Sequence, residues 1–180
     1  MAIKNIITGP CCAGKTTIIN LLKEKGYNTI PESARKIIIE ENSKNNNFSL
    51  NSEQDFINFQ YQVLDKQKQY ESNIVRTSKE IHFLDRGAGD SIGYFQNRNI
   101  KIPEDFLNKI SSFEYSKVFF LELLKPEYYK QDSARKETYE EALNLQKSIF
   151  NGYKMLGFNP ILISNELSIN QRLEFILKNM

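Results

Sequence analysis

The sequence predicts a three-layer α/β domain with a mainly parallel, five-stranded sheet and helices on both faces, and three observations carry the prediction. Short apolar runs alternate with longer helical stretches along the whole chain. The run Lys117-Val118-Phe119-Phe120-Leu121 is nearly continuously apolar, as expected of a strand covered on both faces. Near the N-terminus, Gly9-Pro10-Cys11-Cys12-Ala13-Gly14-Lys15-Thr16 fills G-x-x-x-x-G-K-[ST] at every specified position, between a strand and a helix.

The elements follow in order. The first strand is Lys4 to Thr8, and the first helix runs from about Gly14 to Lys25, stopped by Gly26. Tyr27 to Ile30 is a short second strand cut by Pro31. Pro31 and Ser33 then start a helix to about Glu41, with Glu32 in its first turn. Asn42 to Asn51 is asparagine-rich and reads as an exposed loop. A long helix is expected from Ser52 to about Lys79, with Phe56, Phe59, Val63, Gln67, Tyr70 and Ile74 on one face and Ser52 and Asp55 placed as a capping box. That aromatic face suits ordinary core packing better than a partner surface. Glu80 to Leu84 is the third strand, ending at Asp85-Arg86-Gly87, and helices follow to Phe95 and from Pro103 to Ile110. After the fourth strand, Glu122 to Gln131 reads as irregular, and a long helix is expected from about Asp132 to Leu156. Pro160 to Ile163 is the last strand, and Ser168 caps a helix through Leu177.

The chain of 180 residues reads as a single domain, 1–180. Its net charge of +2, from 24 basic and 22 acidic side chains, makes no electrostatic case for a nucleic-acid partner. No apolar run approaches the ~20 residues of a membrane span. Neither a basic leader nor a signal segment precedes the first strand, so a cytoplasmic location is expected. Cys11 and Cys12 are the only cysteines, adjacent and inside the loop, a spacing that fits neither a disulfide framework nor a metal site.

The glycine-rich loop is the chemistry-bearing feature. Small residues let successive backbone N–H groups turn toward phosphates, and the following helix points its positive end at them. The motif therefore predicts a P-loop that binds a nucleoside triphosphate through Gly9, Pro10, Cys11, Cys12, Ala13, Gly14, Lys15, Thr16 and Thr17. Lys15 reaches the β- and γ-phosphates and the Thr16 hydroxyl ligates Mg²⁺ in such loops. Asp85, at the end of the third strand, is the expected carboxylate on the metal side, with a simple helix cap as the alternative. Glu32, past the second strand on the same sheet edge, is a candidate general base or acceptor ligand. Arg35 and Arg86 are candidates for binding the acceptor or the transferring phosphate. A lid is expected at about 125–137, with Arg135 swinging onto the transferring phosphoryl, Asp132 orienting it and Tyr128 closing over the acceptor. Asn165, beyond the last strand, is the candidate for touching the base. His82, alone in a strand, reads as a core or half-buried histidine.

Several blocks resemble a known family: Gly9-Pro10 through Lys15-Thr16-Thr17, Pro31-Glu32-Ser33-Ala34-Arg35, Leu84-Asp85-Arg86-Gly87, the Tyr128-to-Asp132 stretch continuing through Arg135, Glu137 and Thr138, then Glu141-Ala142, and Tyr153 with Gly157-Phe158. Together they resemble the AAA-like P-loop ATPase/kinase family, which includes the nicotinamide riboside kinase domain of bacterial NadR proteins and eukaryotic lipid- and GTP-binding proteins. The site plan is also similar to deoxynucleoside kinases. That likeness implies Glu32 as base and Asp85-Arg86 as the metal and substrate pair, with Gly87 standing where those kinases have serine. The expected activity is transfer of the γ-phosphoryl of ATP to a hydroxyl of a small, nucleoside-like acceptor, with ATP and Mg²⁺ as cofactors. No N-K-x-D guanine-recognition run is present, which favours ATP. An NTPase without an acceptor, and a nucleotide-dependent switch, stand as alternatives.

Overall fold

The computed structural model describes residues 2–44, 49–74, 80–129 and 138–180. In chain order the elements are β1 (Ile3–Thr8), α1 (Lys15–Glu24), β2 (Asn28–Ile30), α2 (Ser33–Ser43), α3 (Glu53–Ser72), β3 (Ile81–Asp85), α4 (Ala88–Asn97), α5 (Glu104–Ile110), β4 (Lys117–Leu121), α6 (Tyr139–Met155), β5 (Ile161–Ile163) and α7 (Ile169–Asn179). A 3₁₀ turn, Pro126–Tyr128, follows β4. The strands form one sheet in the order β2-β3-β1-β4-β5, and every pairing is parallel. This is the expected three-layer α/β fold.

Alternate strand residues face opposite layers. Ile7, Phe83, Phe119, Leu121 and Ile163 pack with Ile18 and Leu22 of α1 and with Leu173 and Ile176 of α7. Ile6, Leu84, Val118 and Phe120 pack on the other side with Leu145, Ile149 and Tyr153 of α6. A third cluster joins α3, α4 and α5 through Phe56, Leu64, Ile92, Phe95, Phe106 and Ile110. Each fully buried side chain of this kind contributes about 1.5–3 kcal/mol. The aromatic face of α3 is therefore core: Phe56 meets the Phe95 ring edge-on at 5.2 Å.

The α4–α6 contact is unusually close. A Cβ on Gly93 would lie 2.4 Å from the Ile149 Cα, and one on Gly152 would lie 2.6 Å from the Gly89 carbonyl oxygen. Only glycine permits that approach, and it brings Tyr153 of α6 up to the base of α4.

Four expectations need correction. Glu32 is the residue that precedes the first turn of α2, not a member of it, and its side chain caps nothing. The face of α3 buries Gln60 and Leu64, with Val63 only half-buried, because the helix turns Leu64 into the cluster it shares with α4 and α5. That helix ends at Ser72, and residues 75–79 lie outside the described residues. The helix expected from Asp132 begins instead at Tyr139, where extended Thr138 and Glu141 form a reciprocal capping box that starts it afresh. Residues 130–137, including Asp132 and Arg135 of the expected lid, lie outside the described residues.

Candidate functional site

The loop after β1 is shaped by backbone geometry. Gly9 has φ +139, and a Cβ there would stand 2.2 Å from the Leu121 carbonyl oxygen, so glycine is required both for the dihedral and for contact with β4. Cys12 and Gly14 follow at φ +55 and +84, and Gly14 hands the chain to α1. Four of the loop carbonyls are held by hydrogen-bond donors. Gly9 O accepts from Arg86 Nη1 at 3.1 Å, Pro10 O from Lys15 Nζ at 2.5 Å, Cys12 O from Leu124 N at 3.4 Å, and Ala13 O from Arg172 Nη1 at 2.9 Å. The Ala13 and Gly14 amides meet no acceptor among the described residues. The Cys11 sulfur is buried near the Tyr129 hydroxyl, in a cluster with Leu123 and Ala142, and neither cysteine is in a disulfide.

Beside the loop, β3 delivers Asp85 and Arg86. Asp85 pairs in register with Ile7 of β1, and the Arg86 amide continues the ladder to the Ile7 carbonyl at 3.0 Å. Arg86 then takes φ +71, a conformation uncommon for a residue with a Cβ. The turn aims its guanidinium back over the loop, where Nε donates to Glu32 at 3.2 Å and Nη1 donates to both Gly9 O and Asp90. Asp90, on the first turn of α4, also accepts from the Thr8 hydroxyl, the Gly87 amide and the Tyr153 hydroxyl. Four donors meet one buried carboxylate, which fixes the arginine's direction.

This geometry explains Gly87. Its backbone is extended, but a Cβ would meet Ile6 Cδ1 at 2.8 Å and the Tyr153 hydroxyl at 3.0 Å. Tyr153 occupies the space a serine side chain would need. Gly87 precedes α4 as its cap residue, which removes the helix-cap alternative for Asp85.

The charges set one another's protonation. Burial pushes the Lys15 ammonium down to about 8, helped by Arg86 and resisted by Asp85, Glu32 and Asp90. Burial, then repulsion from Glu32, pushes Asp85 up to about 6 against the pull of Lys15 and Arg86. Glu32 goes the other way. Burial alone would raise it, but Arg86, Lys15 and Arg35 together hold it below the usual carboxylate range. Two carboxylates at one site are thereby driven apart.

The remaining expected residues are placed as follows. Thr16 and Thr17 are exposed at the start of α1. Arg35 is half exposed, 3.9 Å from Glu32. Tyr128 is 63% exposed on the 3₁₀ turn and stands away from the Glu32–Arg86 cluster's contacts. Asn165 donates its side-chain amide to Leu123 O at 2.9 Å, tying the loop after β5 to the end of β4. His82 has its Nε2 buried without a hydrogen bond, 3.9 Å from Glu80.

Sequence reasoning missed Asp90, Gln60 and Arg172, and named Tyr153 only within the family resemblance, without a role. Gln60 is 4% exposed on α3, and its side-chain amide makes no hydrogen bond among the described residues. Helices α3 and α4 run antiparallel here: Phe56 meets Phe95, while Glu71 accepts from Tyr115, whose oxygen in turn accepts the Ala88 amide. On α4, one residue before Phe95, the Tyr94 ring lies 5.8 Å from the Arg86 guanidinium carbon. The missed signals were polar residues on apolar stripes. Gln60 falls between Phe56 and Leu64, Arg172 between Ile169 and Ile176, and Asp90 among Ala88, Ile92 and two glycines.

A strand, a glycine-rich loop shaped by left-handed residues and a helix at the centre of a parallel sheet define the P-loop NTPase class of protein. The profile of the AAA domain family matches residues 4–172, and the chain belongs to that family. No curated protein sequence matches it. The fold is similar to that of a deoxyadenosine kinase from M. mycoides with products dCMP and a flexible dCDP bound, at TM-score 0.69 and 18% identity over 98% of this chain and 97% of that one. It is also similar to a thymidylate kinase from Ehrlichia chaffeensis, at TM-score 0.66 and 13% identity over 99% of each chain. The NadR protein in complex with NR matches at TM-score 0.67 and 14% identity, over 98% of this chain and 49% of that one. Among the described residues no helix is long and apolar enough to cross a membrane.

Proposed function

We propose that this protein is an ATP-dependent phosphotransferase that moves the γ-phosphoryl group to a hydroxyl of a small, nucleoside-like acceptor. The observation that carries the reading is the Glu32–Arg86 pair, which keeps a carboxylate ionised beside the phosphate-binding loop. The loop from Gly9 to Thr17 would hold ATP, with Lys15 leaving Pro10 O for the β- and γ-phosphates. Asp85 and Thr16 fit a magnesium ion, since Asp85 Oδ1 is buried without a hydrogen-bond partner and the Thr16 side chain is open to solvent. When bound, the ion neutralises charge on the transferring phosphate. No cluster of three or more His, Cys, Asp or Glu side chains stands ready among the described residues, so phosphate oxygens would complete its shell.

Glu32 accepts the proton of the attacking hydroxyl as its oxygen bonds to the γ-phosphorus and ADP departs. Arg86 holds Glu32 in place, with Arg35 beside it, and Gln60 is the buried amide available to the acceptor. Arg135 would reach the transferring phosphoryl and Tyr128 would cover the acceptor; Asn165 would meet the base. The similar folds include proteins solved with dCMP and with NR, which supports a nucleoside-like acceptor.

The test is an incubation with Mg²⁺ and γ-labelled ATP across nucleosides and nucleoside monophosphates, following label on the acceptor. Acceptor-dependent turnover with a phosphorylated product is expected. Glu32→Gln should lower transfer by roughly 10²–10⁴-fold while ATP affinity changes little. Turnover that is equal without any acceptor, or tight nucleotide binding with none, would overturn the transferase reading.

A further inference from the structure

Arg172 sits on the packed face of α7, 1% exposed, between residues that contact α1. A guanidinium so deeply buried normally carries a carboxylate partner, because desolvating the charge is costly. None lies within ion-pair distance among the described residues, and the Glu122 carboxylate acts on it only from beyond that distance. Nε donates to Leu167 O at 3.1 Å, Nη1 donates to Ala13 O at 2.9 Å, and Nη2 has no partner. An apolar residue would serve the packing better. What the arginine adds is two hydrogen bonds, one to nearby Leu167 and one to Ala13, 159 positions away in the chain.

We propose that Arg172 is a positioning residue for the phosphate-binding loop, holding the Ala13–Gly14 peptide so that its N–H faces the phosphates. The inference rests on the reading that this loop takes a polyphosphate. Every described peptide bond is trans, so the Ala13 C=O and the Gly14 N–H point in opposite directions. Drawing the carbonyl back toward α7 drives the amide forward into the loop. There the Ala13 and Gly14 amides have no acceptor among the described residues. Gly14 makes the restraint necessary, since glycine lets this peptide rotate at little steric cost. A Cβ at Gly14 would meet only Ile169 Cδ1 at 3.7 Å and Arg172 Nη1 at 3.9 Å, so neighbouring packing does not lock it. The Gly9, Pro10 and Cys12 carbonyls are already held, by Arg86, Lys15 and Leu124. Arg172 does the same for Ala13 and couples the loop to the segment after β5.

The test titrates inorganic tripolyphosphate and Mg-ATP into the wild-type chain, Arg172→Lys and Arg172→Met by calorimetry. It also follows the Gly14 amide resonance by ¹⁵N NMR. Tripolyphosphate should bind roughly 10- to 100-fold more weakly to Arg172→Met, the range set by one hydrogen bond to a charged group. Arg172→Lys should fall between the two. The melting temperature of ligand-free Arg172→Met should hold or rise, and its Gly14 resonance should split or broaden. A purely structural arginine would lower the melting temperature and leave that resonance alone. Affinity of Arg172→Met within threefold of wild type overturns the inference. If that variant does not fold, Arg172→Lys within twofold of wild type overturns it. A wild-type chain that binds neither ligand overturns the polyphosphate reading itself, and this inference with it.

Discussion

Asp85→Asn should make the ligand-free protein more stable. Burial and Glu32 raise Asp85 from 3.8 to about 6, roughly two units. At about 1.4 kcal/mol per unit, the ionised carboxylate costs the fold roughly 3 kcal/mol near neutral pH. The sign follows from proton binding. Between 3.8 and about 6 the folded chain holds a proton on Asp85 that the unfolded chain has released, so stability falls as pH rises through that window. Asparagine keeps the shape and removes the charge, but its amide also lacks a partner where Oδ1 has none. A net gain of about 1–2 kcal/mol is expected, a rise of ~2–8 °C in Tm for a chain of this size. The assay is thermal unfolding of both proteins in chelator-containing buffer from pH 4.5 to 7.5. Subtracting the two curves isolates Asp85 from Glu32, whose lowered pKa works in the opposite direction. The gap should be widest near pH 7.5 and narrow toward pH 4.5. No gain at pH 7.5, or a gap that does not narrow, refutes the argument.

Other consequences follow from the same geometry. Lys15→Met should also raise the Tm of the ligand-free chain at pH 7, because burial holds Lys15 at about 8 rather than 10.5. The wild-type deficit should shrink as pH rises from about 8 to 10.5, and the stabilisation of the wild type by Mg-ATP should be lost in the variant. Because Lys15 and Asp85 attract each other, each single variant forfeits that attraction while the double forfeits it only once, so the double variant should gain more than the sum of the two, a departure read from their Tm values. Gly93→Ala should cost about 3 kcal/mol, the upper end for overpacking, since its methyl would collide with backbone atoms of Ile149 on α6. Urea unfolding measures it, and a loss under ~1 kcal/mol would show that α4 and α6 part easily.

The phosphate-binding loop was legible in the sequence because its requirements are local. A small residue that accepts a positive φ, a lysine and a hydroxyl at fixed spacing can be read without knowing what lies nearby. The five strands were legible for a related reason, since apolar runs such as Val118 to Leu121 record burial directly. Helix starts inside polar stretches were harder. Thr138 and Glu141 spell a capping box, yet the helical character assigned from Asp132 onward concealed it. Asp85, Glu32 and Arg86 could be placed on one sheet edge, but their opposite protonation tendencies could not, because these depend on distances across separate elements.

By itself, then, the sequence determined the loop, the parallel α/β order and the edge of the sheet where the charged residues collect. Only the tertiary structure decided how those charges are held. Asp90 and Tyr153 brace Arg86 because three glycines let α4 and α6 nearly touch. Arg172 reaches Ala13 because α7 folds back against α1. Both arrangements join residues far apart in the chain, and buried polar contacts of that kind leave no periodic trace beyond a polar residue on an apolar stripe.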